Sequence, residues 1–197
     1  MITEIFSTAL GKYQLDLDSK KIEQYCLSIR EKDEKGRIVS NAGGYQSNLL
    51  DLKDETLKPF RLSLMKALKE YYPIYESNKN LRLQEYWFNI NGHKAFNRLH
   101  SHAGAFISGV YYVKAPQDCG QIYFQRKTNL NLFKLDEVNK YNCEGYYQDP
   151  KENLLLLFPS WCEHLVLGNN SKEERISISF NFVTEWKYEI YFNASCL

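Results

Sequence analysis

Residues 175–181 read Arg-Ile-Ser-Ile-Ser-Phe-Asn, and polar and apolar side chains alternate strictly along them. A period of two is typical of a β-strand that packs one face on an apolar core. Arg175, Ser177, Ser179 and Asn181 would then share the other face. An arginine directed into a barrel needs an anionic partner, because an unpaired buried charge is very costly. The alternative is an arginine on the solvent face of an edge strand.

Short segments rich in β-branched and aromatic residues continue this pattern over the second half of the chain. Aromatic residues make up 15% of the sequence, with 15 tyrosines, and such rings pack well on pleated surfaces. Turn signals at Asn91-Gly92 and Gly168-Asn169-Asn170 separate several segments. About seven short strands at regular spacing indicate a sandwich or barrel. The predicted strands are Arg82–Asn91, Ala105–Lys114, Gly120–Arg126, Asn153–Phe158, Glu163–Leu167, Arg175–Thr184 and Lys187–Phe192.

The first 80 residues have a different pattern. Apolar residues at helical spacing predict helices over Leu15–Lys32 and Asp54–Tyr75, and Pro73 marks the end of the second. The segment Asn41–Asp51 is predicted as a glycine-bearing loop. We expect both helices to pack on one face of a sheet.

The length of 197 residues suits a single domain. It divides into a helical N-terminal support over residues 1–80 and a β core over residues 81–197. Residues 127–151 form a polar, tyrosine-rich insertion, and long loops of this kind are often lids or substrate-binding segments.

Composition limits the partners and the compartment. The formal net charge is +1, which argues against nucleic acid, and no apolar run approaches the roughly 20 residues of a membrane helix. Residues 1–6 contain an early acid and do not resemble a signal peptide. The five cysteines are odd in number and widely spaced, so we expect reduced thiols in a cytoplasmic protein. The sequence leaves the oligomeric state open.

Three of the four histidines suggest a metal site. His100 and His102 are two residues apart and would share one face of a strand, and His164 would complete a three-point cap from a distant strand. Three protein ligands leave coordination positions open, as catalytic metal sites require. The alternative is two surface histidines and one core histidine. Cys162 could also be a ligand, although a small core or pocket-wall residue is the better interpretation of that position.

Several motifs, in a fixed order over residues 41–183, carry a resemblance to a known family. The chain resembles the Fe(II)- and 2-oxoglutarate (2OG)-dependent oxygenases, and within them a branch with His-x-His in place of the usual His-x-Asp/Glu. The motifs are Gly44-Tyr45-Gln46-Ser47, His100-Ser101-His102, Ser108-Gly109-Val110-Tyr111-Tyr112, Phe158-Pro159-Ser160-Trp161 and Arg175 to Asn181.

The resemblance implies a fold and a reaction. The fold is a double-stranded β-helix (jelly roll), mainly β with N-terminal helices on one sheet, hence α+β overall. The reaction uses Fe(II), the co-substrate 2OG and O2 to hydroxylate an unidentified protein side chain or small molecule, with release of succinate and CO2. No acid or base side chain is required beyond the metal centre.

The resemblance also implies roles for individual residues. The metal ligands are His100, His102 and His164. Arg175 and Ser177 would bind the distal carboxylate of 2OG, because the planar guanidinium matches a carboxylate. Asn89 and Asn91 are assigned to 2OG because they resemble the Asn-x-Tyr element of alkylation-repair oxygenases. Strand parity assigns Tyr112 to 2OG and Asn181 to the primary substrate. Asn97 is assigned to the primary substrate because it lies close to the first ligand. Phe158 and Trp161 are expected in the core.

His102 is the main departure from the wider family, since it stands where a carboxylate is usual. It is either the third ligand or a neighbour of the metal site, with water completing the coordination. Glu163 is a poor substitute, because adjacent strand residues face opposite ways. Two other functions compete with the oxygenase: a 2OG-independent, cupin-like three-histidine dioxygenase or isomerase, and a non-catalytic metal-binding module.

Overall fold

The computed structural model describes residues 7–76, 79–127, 137 and 139–184. In these ranges the helices are α1 (Ser19–Lys32) and α2 (Lys58–Tyr71), and a short 3-10 helix (Tyr72–Ile74) follows α2. The strands are β1 (Gly11–Gln14), β2 (Asn41–Ala42), β3 (Tyr45–Gln46), β4 (Leu81–Asn91), β5 (Phe96–His100), β6 (Ile107–Lys114), β7 (Ile122–Gln125), β8 (Gly145–Gln148), β9 (Leu154–Pro159), β10 (His164–Val166) and β11 (Arg175–Thr184).

The strands form two antiparallel sheets. The larger has the order β1-β9-β6-β11-β4-β3, and the smaller has the order β2-β5-β10-β7-β8. β11 is central in the larger sheet, where it pairs with β4 on one side and β6 on the other. Ser177 therefore lies between Asn89 and Tyr112. The architecture is mainly β with two helices, as predicted for a jelly-roll core.

The outer face of the larger sheet packs against both helices. Phe60 of α2 contacts Tyr111 and Phe180, with ring centroids 5.0 and 6.2 Å apart. All three side chains are fully buried. Burial of each ring from water contributes roughly 1.5–3 kcal/mol. The expected packing of the helices on one sheet is confirmed.

A second apolar cluster lies on the inner face of the larger sheet, between the two sheets. Its buried members include Val110, Tyr112, Leu156, Phe158 and Cys162. Ile122 of the smaller sheet also belongs to this cluster, and Phe124 and Val166 pack against it, so the cluster joins the two sheets.

One irregularity interrupts the pairing of β4 with β11. Asn181 pairs with Glu85 and Phe182 pairs with Leu83, so Gln84 is an extra residue on β4. Such a bulge reverses the alternation on its two sides, so that the side chains before Gln84 point to the other face. Leu83 accordingly packs with the helix-side cluster, although it has the same parity as Glu85.

The N-terminal region differs from the expected helical support, because it also supplies β1, β2 and β3 as edge strands. The last two lie inside the predicted loop over Asn41–Asp51. α1 begins at Ser19 because Asp18 caps it, its side chain accepting a hydrogen bond from the backbone N–H of Lys21 at 3.1 Å.

Two further strands, β5 and β8, fall where none was predicted, and β8 lies within the 127–151 insertion. The predicted strand over Lys187–Phe192 lies outside the described residues, and so does part of the insertion. In the described part of the chain, no helix has the length and hydropathy needed to cross a membrane. The division into a support and a core within a single domain stays a prediction.

Candidate metal centre and its pocket

Three histidine side chains meet where β5 and β10 pair. His100 ends β5, His164 begins β10, and the two residues are directly opposite in the register. His102 follows β5 in a turn, where its backbone N–H donates to the carbonyl of Ser160 at 3.0 Å. The candidate ligand atoms of the three side chains lie within 4.8 Å of one another. The three side chains converge as predicted, but His102 joins the other two from a turn and not through the alternation of a strand.

This spacing suits a single metal ion. Nitrogen atoms that bind one ion at about 2.1 Å lie about 3.0–3.4 Å from each other, so the rings need to close by about 2 Å at most. The carbonyls of Arg98 and Cys162 accept hydrogen bonds from Nδ1 of His100 (2.6 Å) and Nδ1 of His164 (2.9 Å). A carbonyl can only accept, so Nδ1 carries the proton in both rings and Nε2 is free to bind metal.

The histidines are held in the neutral form that metal binding requires. Burial, reinforced by the neighbouring His100, lowers the pKa of His164 to about 3. Burial and the same neighbour lower the pKa of His102 to about 4, and burial lowers the pKa of His100. All three are therefore unprotonated at neutral pH, and each offers a lone pair to a cation.

Two other candidate ligands near His164 do not join the cluster. Burial raises the pKa of the Cys162 thiol to about 11, so it is a poor source of thiolate at neutral pH. Glu163 lies 3.5 Å from Lys127 in an ion pair. Within the described residues, neither belongs to the group of side chains that could share an ion with the histidines.

Aromatic rings position two of the histidines. Phe158 packs edge-on against His164, with ring centroids 4.8 Å apart, and Phe124 lies 5.9 Å from the same ring. Trp87 lies 5.9 Å from His102. Phe158 is buried, as expected, whereas Trp161 is 53% exposed and the core prediction for it is wrong. The turn after β9 carries Trp161 out of the alternation that buries the strand.

A cavity between the sheets extends from the histidines to Arg175. The Arg175 side chain is only 2% exposed, and its Nη1 donates to the carbonyls of Cys119 and Gly120. Among the described residues, no carboxylate lies within ion-pair distance of it. A guanidinium stays charged in proteins, so this cation is buried without a counter-ion from the described residues.

Unpaired polar atoms surround the same part of the cavity. The hydroxyl of Tyr112 and Oδ1 of Asn89 are buried without a hydrogen-bond partner, and both residues line the cavity. Burial raises the pKa of Tyr112, so its phenol keeps the proton and can donate it to an anion. Such atoms are rare in folded proteins, and a bound water, ion or ligand is one explanation for them. The residues therefore fit a carboxylate ligand such as the distal end of 2OG.

Five of the seven predicted pocket residues line the cavity: Asn89, Asn97, Tyr112, Arg175 and Ser177. Asn91 lies just behind it and donates to Oδ1 of Asn97 at 3.3 Å, while its own Oδ1 has no partner. Asn181 lies beyond the lining, between Ser108 and Glu85. The roles assigned to these residues stay predictions.

The cavity also includes residues that sequence reasoning missed, among them Ser40, Trp87 and Ser179. Strand parity points to two of them, since Trp87 is two residues from Asn89, and Ser179 follows Ser177 by two. Ser40 lies in a loop, where no period could indicate it, and accepts a hydrogen bond from Nδ2 of Asn97 at 3.1 Å.

The family model described as "Putative 2OG-Fe(II) oxygenase" matches residues 85–181, the stretch that carries the three histidines and Arg175. Residues 85–181 of the chain therefore match the 2OG-Fe(II) oxygenase family. No curated protein has a sequence that matches it. The resemblance described above expects a carboxylate at the position that His102 holds in this chain, and the role of His102 as a ligand stays a prediction.

Solved structures of 2OG-Fe(II) oxygenases share the fold. A prolyl-4-hydroxylase from Pseudomonas putida is 16% identical, with a TM-score of 0.61, and the match covers 91% of this chain and 95% of that one. The viral collagen prolyl hydroxylase of Paramecium Bursaria Chlorella virus-1, solved with 2OG, is 12% identical, with a TM-score of 0.60 and coverage of 88% and 94%. A Trichoplax adhaerens prolyl hydroxylase, solved with a hypoxia inducible factor peptide fragment, is 14% identical, with a TM-score of 0.60 and coverage of 89% and 83%.

Proposed function

We propose that this protein is an Fe(II)- and 2OG-dependent hydroxylase of a protein side chain or small molecule, releasing succinate and CO2. The observation that carries the proposal is the pairing, in one cavity, of three neutral histidines with a buried arginine that has no carboxylate partner among the described residues. A metal site and an anion site so placed suit one ligand that binds the metal at one end and carries a carboxylate at the other.

The histidines and the hydrogen bonds behind them would hold the iron. His100 and His164 present Nε2 because backbone carbonyls fix their Nδ1 protons, and His102 would supply the third nitrogen. Bound iron and 2OG would supply the oxidising chemistry that activates O2. The side chains need only bind, orient and exclude water, since no acid or base is required.

Arg175 and its neighbours would orient the co-substrate. The guanidinium and the Ser177 hydroxyl line the end of the cavity and would donate to the distal carboxylate, and the Tyr112 phenol would add a third donor. Asn89 donates weakly to Ser179 at 3.4 Å, and its free Oδ1 can accept from a ligand or water. Apolar residues from both sheets, Phe158 on the larger and Ile122 and Val166 on the smaller, line the cavity and would help to exclude water.

The three-histidine set favours one alternative, a metalloenzyme of cupin type that does not use 2OG. Within the described residues the candidate ligands include no carboxylate, and a neutral ligand set leaves the Fe(II) centre one charge more positive than the usual set. This alternative gives no role to the unpaired Arg175, and so we place it second.

Anaerobic titration with Fe(II), with and without 2OG, tests the proposal. Chelation of iron by a 2-oxo acid is expected to produce a charge-transfer band in the visible region that appears only when both are present. Consumption of 2OG and formation of succinate on admission of O2 provide the activity readout. Iron binding without the band would contradict the proposal and favour the 2OG-independent enzyme, and a bound metal with no turnover of any kind would favour a non-catalytic module.

A further inference from the structure

The inner face of the larger sheet carries a row of polar residues that runs past the metal site. Along β11 the row is Arg175, Ser177, Ser179 and Asn181, and their partners on β4 are Asn91, Asn89, Trp87 and Glu85. The histidine cluster contacts this row at Trp87. Glu85 is therefore one pair of residues beyond the metal site, on the side away from Arg175.

The two ends of the row differ in their access to solvent. Arg175, Asn91, Asn89 and Ser177 are buried, whereas Trp87, Ser179 and Glu85 are partly exposed, and only Asn181 at that end is buried. A primary substrate would have to enter from the exposed end, because the buried end is closed and suits the co-substrate. Successive side chains on one face of a strand are about 6.6–6.8 Å apart, so Glu85 lies within reach of a substrate held at the metal.

Regular alternation along β4 fixes Glu85 on the inner face, two residues from Trp87. The bulge at Gln84 then turns the preceding residue of the same parity, Leu83, to the helix-side cluster. The polar row on β4 therefore ends at Glu85.

Two buried residues hold the carboxylate in one orientation. Oε1 of Glu85 accepts a hydrogen bond from Nδ2 of Asn181 at 2.8 Å, and Oδ1 of Asn181 accepts one from the Ser108 hydroxyl at 2.8 Å. Asn181 is 5% exposed and Ser108 is fully buried. A fixed amide therefore orients one carboxylate oxygen of Glu85.

The charge of Glu85 is not neutralised by the described residues. None of the ion pairs within residues 7–76, 79–127 and 139–184 includes it, although the side chain is partly buried. A carboxylate that is held in place and partly desolvated attracts a cation more strongly than a carboxylate in water does. The ligand that complements it is an ammonium or guanidinium group.

We infer that Glu85, oriented by Asn181 and Ser108, binds a cationic group of the primary substrate, which is accordingly a basic side chain or an amine-bearing small molecule. The inference rests on the proposed hydroxylase function and adds a substrate class to it. Arg175 and Glu85 lie at opposite ends of one row. Arg175 would then bind the anionic co-substrate, and Glu85 would bind the cationic substrate.

Substrate pools that differ in charge alone test this inference. The probes are short peptides with lysine or arginine, with norleucine, or with glutamate at the central position, together with aliphatic diamines and the matching diols. Each pool is added to the iron- and 2OG-loaded protein, and both the shift of the charge-transfer band and the succinate formed above the substrate-free rate are measured. Only the lysine, arginine and diamine pools are expected to give a response.

The variant Glu85→Gln keeps the size of the side chain and its hydrogen bond to Asn181 but removes the charge. We expect it to retain the band and to lower the response to cationic pools about tenfold or more. Glu55→Gln removes an exposed carboxylate beside α2, which ion-pairs with Lys58, and should respond as the wild type does.

The outcomes separate the two proposals. A wild-type protein without the band contradicts the hydroxylase function, and the inference fails with it. A protein that forms the band but responds equally to all pools, responds to none, or loses nothing in Glu85→Gln retains the proposed function and overturns the role of Glu85.

Discussion

The two faces of β11 are buried to a similar extent, but they differ in whether the buried side chains have matching partners. On the helix side, Ile176, Ile178 and Phe180 are 0–1% exposed and contact other apolar groups. On the inner side, Arg175 and Ser177 are also buried, yet Arg175 has no anionic partner among the described residues. Burial alone therefore does not distinguish core residues from site residues. The distinguishing feature is a buried polar group that has no partner.

The largest expected effect is on the helix side, at Phe180. Phe180→Ala removes a ring that packs on Phe60 and should lower the free energy of unfolding by about 3–5 kcal/mol. The matched control on the same strand is Ser179→Ala, which removes one long hydrogen bond to Asn89 and should cost less than about 1 kcal/mol. Urea unfolding of the two variants measures the difference. Equal losses would mean that the two faces are not distinct.

The next effect is on the inner side, at Arg175. Arg175→Met keeps much of the volume and removes the charge, so 2OG affinity should fall by about 2–5 kcal/mol, or about 30- to 5,000-fold. Iron binding should be nearly unchanged, and the change in stability should be small, because removal of a costly unpaired charge offsets the loss of the hydrogen bonds to the carbonyls of Cys119 and Gly120. The measurement is 2OG titration of the iron-loaded protein, with the exposed Arg82→Ala as control. Unaltered 2OG use would show that the arginine has another role.

The smallest expected effect is that of His102→Asp, which, compared with His102→Ala, tests the identity of a ligand. His102→Asp restores the carboxylate that is usual at this position, so iron binding should be retained or strengthened. His102→Ala should weaken it by more than the roughly 10–100-fold that loss of an outer hydrogen-bond partner costs. His93→Asp changes an exposed histidine in the same way and serves as control. If neither substitution of His102 changed the affinity for iron, this ring would lie outside the coordination shell.

The sequence was informative where a strand is long and asymmetrically buried. β11 matches its prediction at both ends, and β4 differs from its prediction by one residue, because ten or more alternating residues define both the period and the face. β2 and β3 have two residues each, too few to show a period, and only pairing with a longer strand makes them visible. β8 escaped prediction because its residues, Gly-Tyr-Tyr-Gln, are partly or fully exposed and do not alternate.

The candidate site was predictable as a set of residues but not as an arrangement. Spacing brought together His100, His164, Arg175 and Ser177, since each lies at a strand end or on an alternating face, whereas His102 joins them from the turn after β5. Asn181 was expected in the pocket because parity places it on the Arg175 face. The hydrogen bonds to Ser108 and Glu85 instead hold it beyond the lining, and those partners come from strands whose register the sequence does not reveal.

Because His100 pairs directly with His164, the length of the connection from β9 to β10 cannot change freely. β10 has only three residues, and its register shifts between His164 and Val166. A slip of one residue would turn His164 to the other side of the sheet, because neighbouring strand residues face opposite ways. Insertions and deletions in the short connection from β9 to β10 are therefore as damaging to this centre as replacement of the histidine itself.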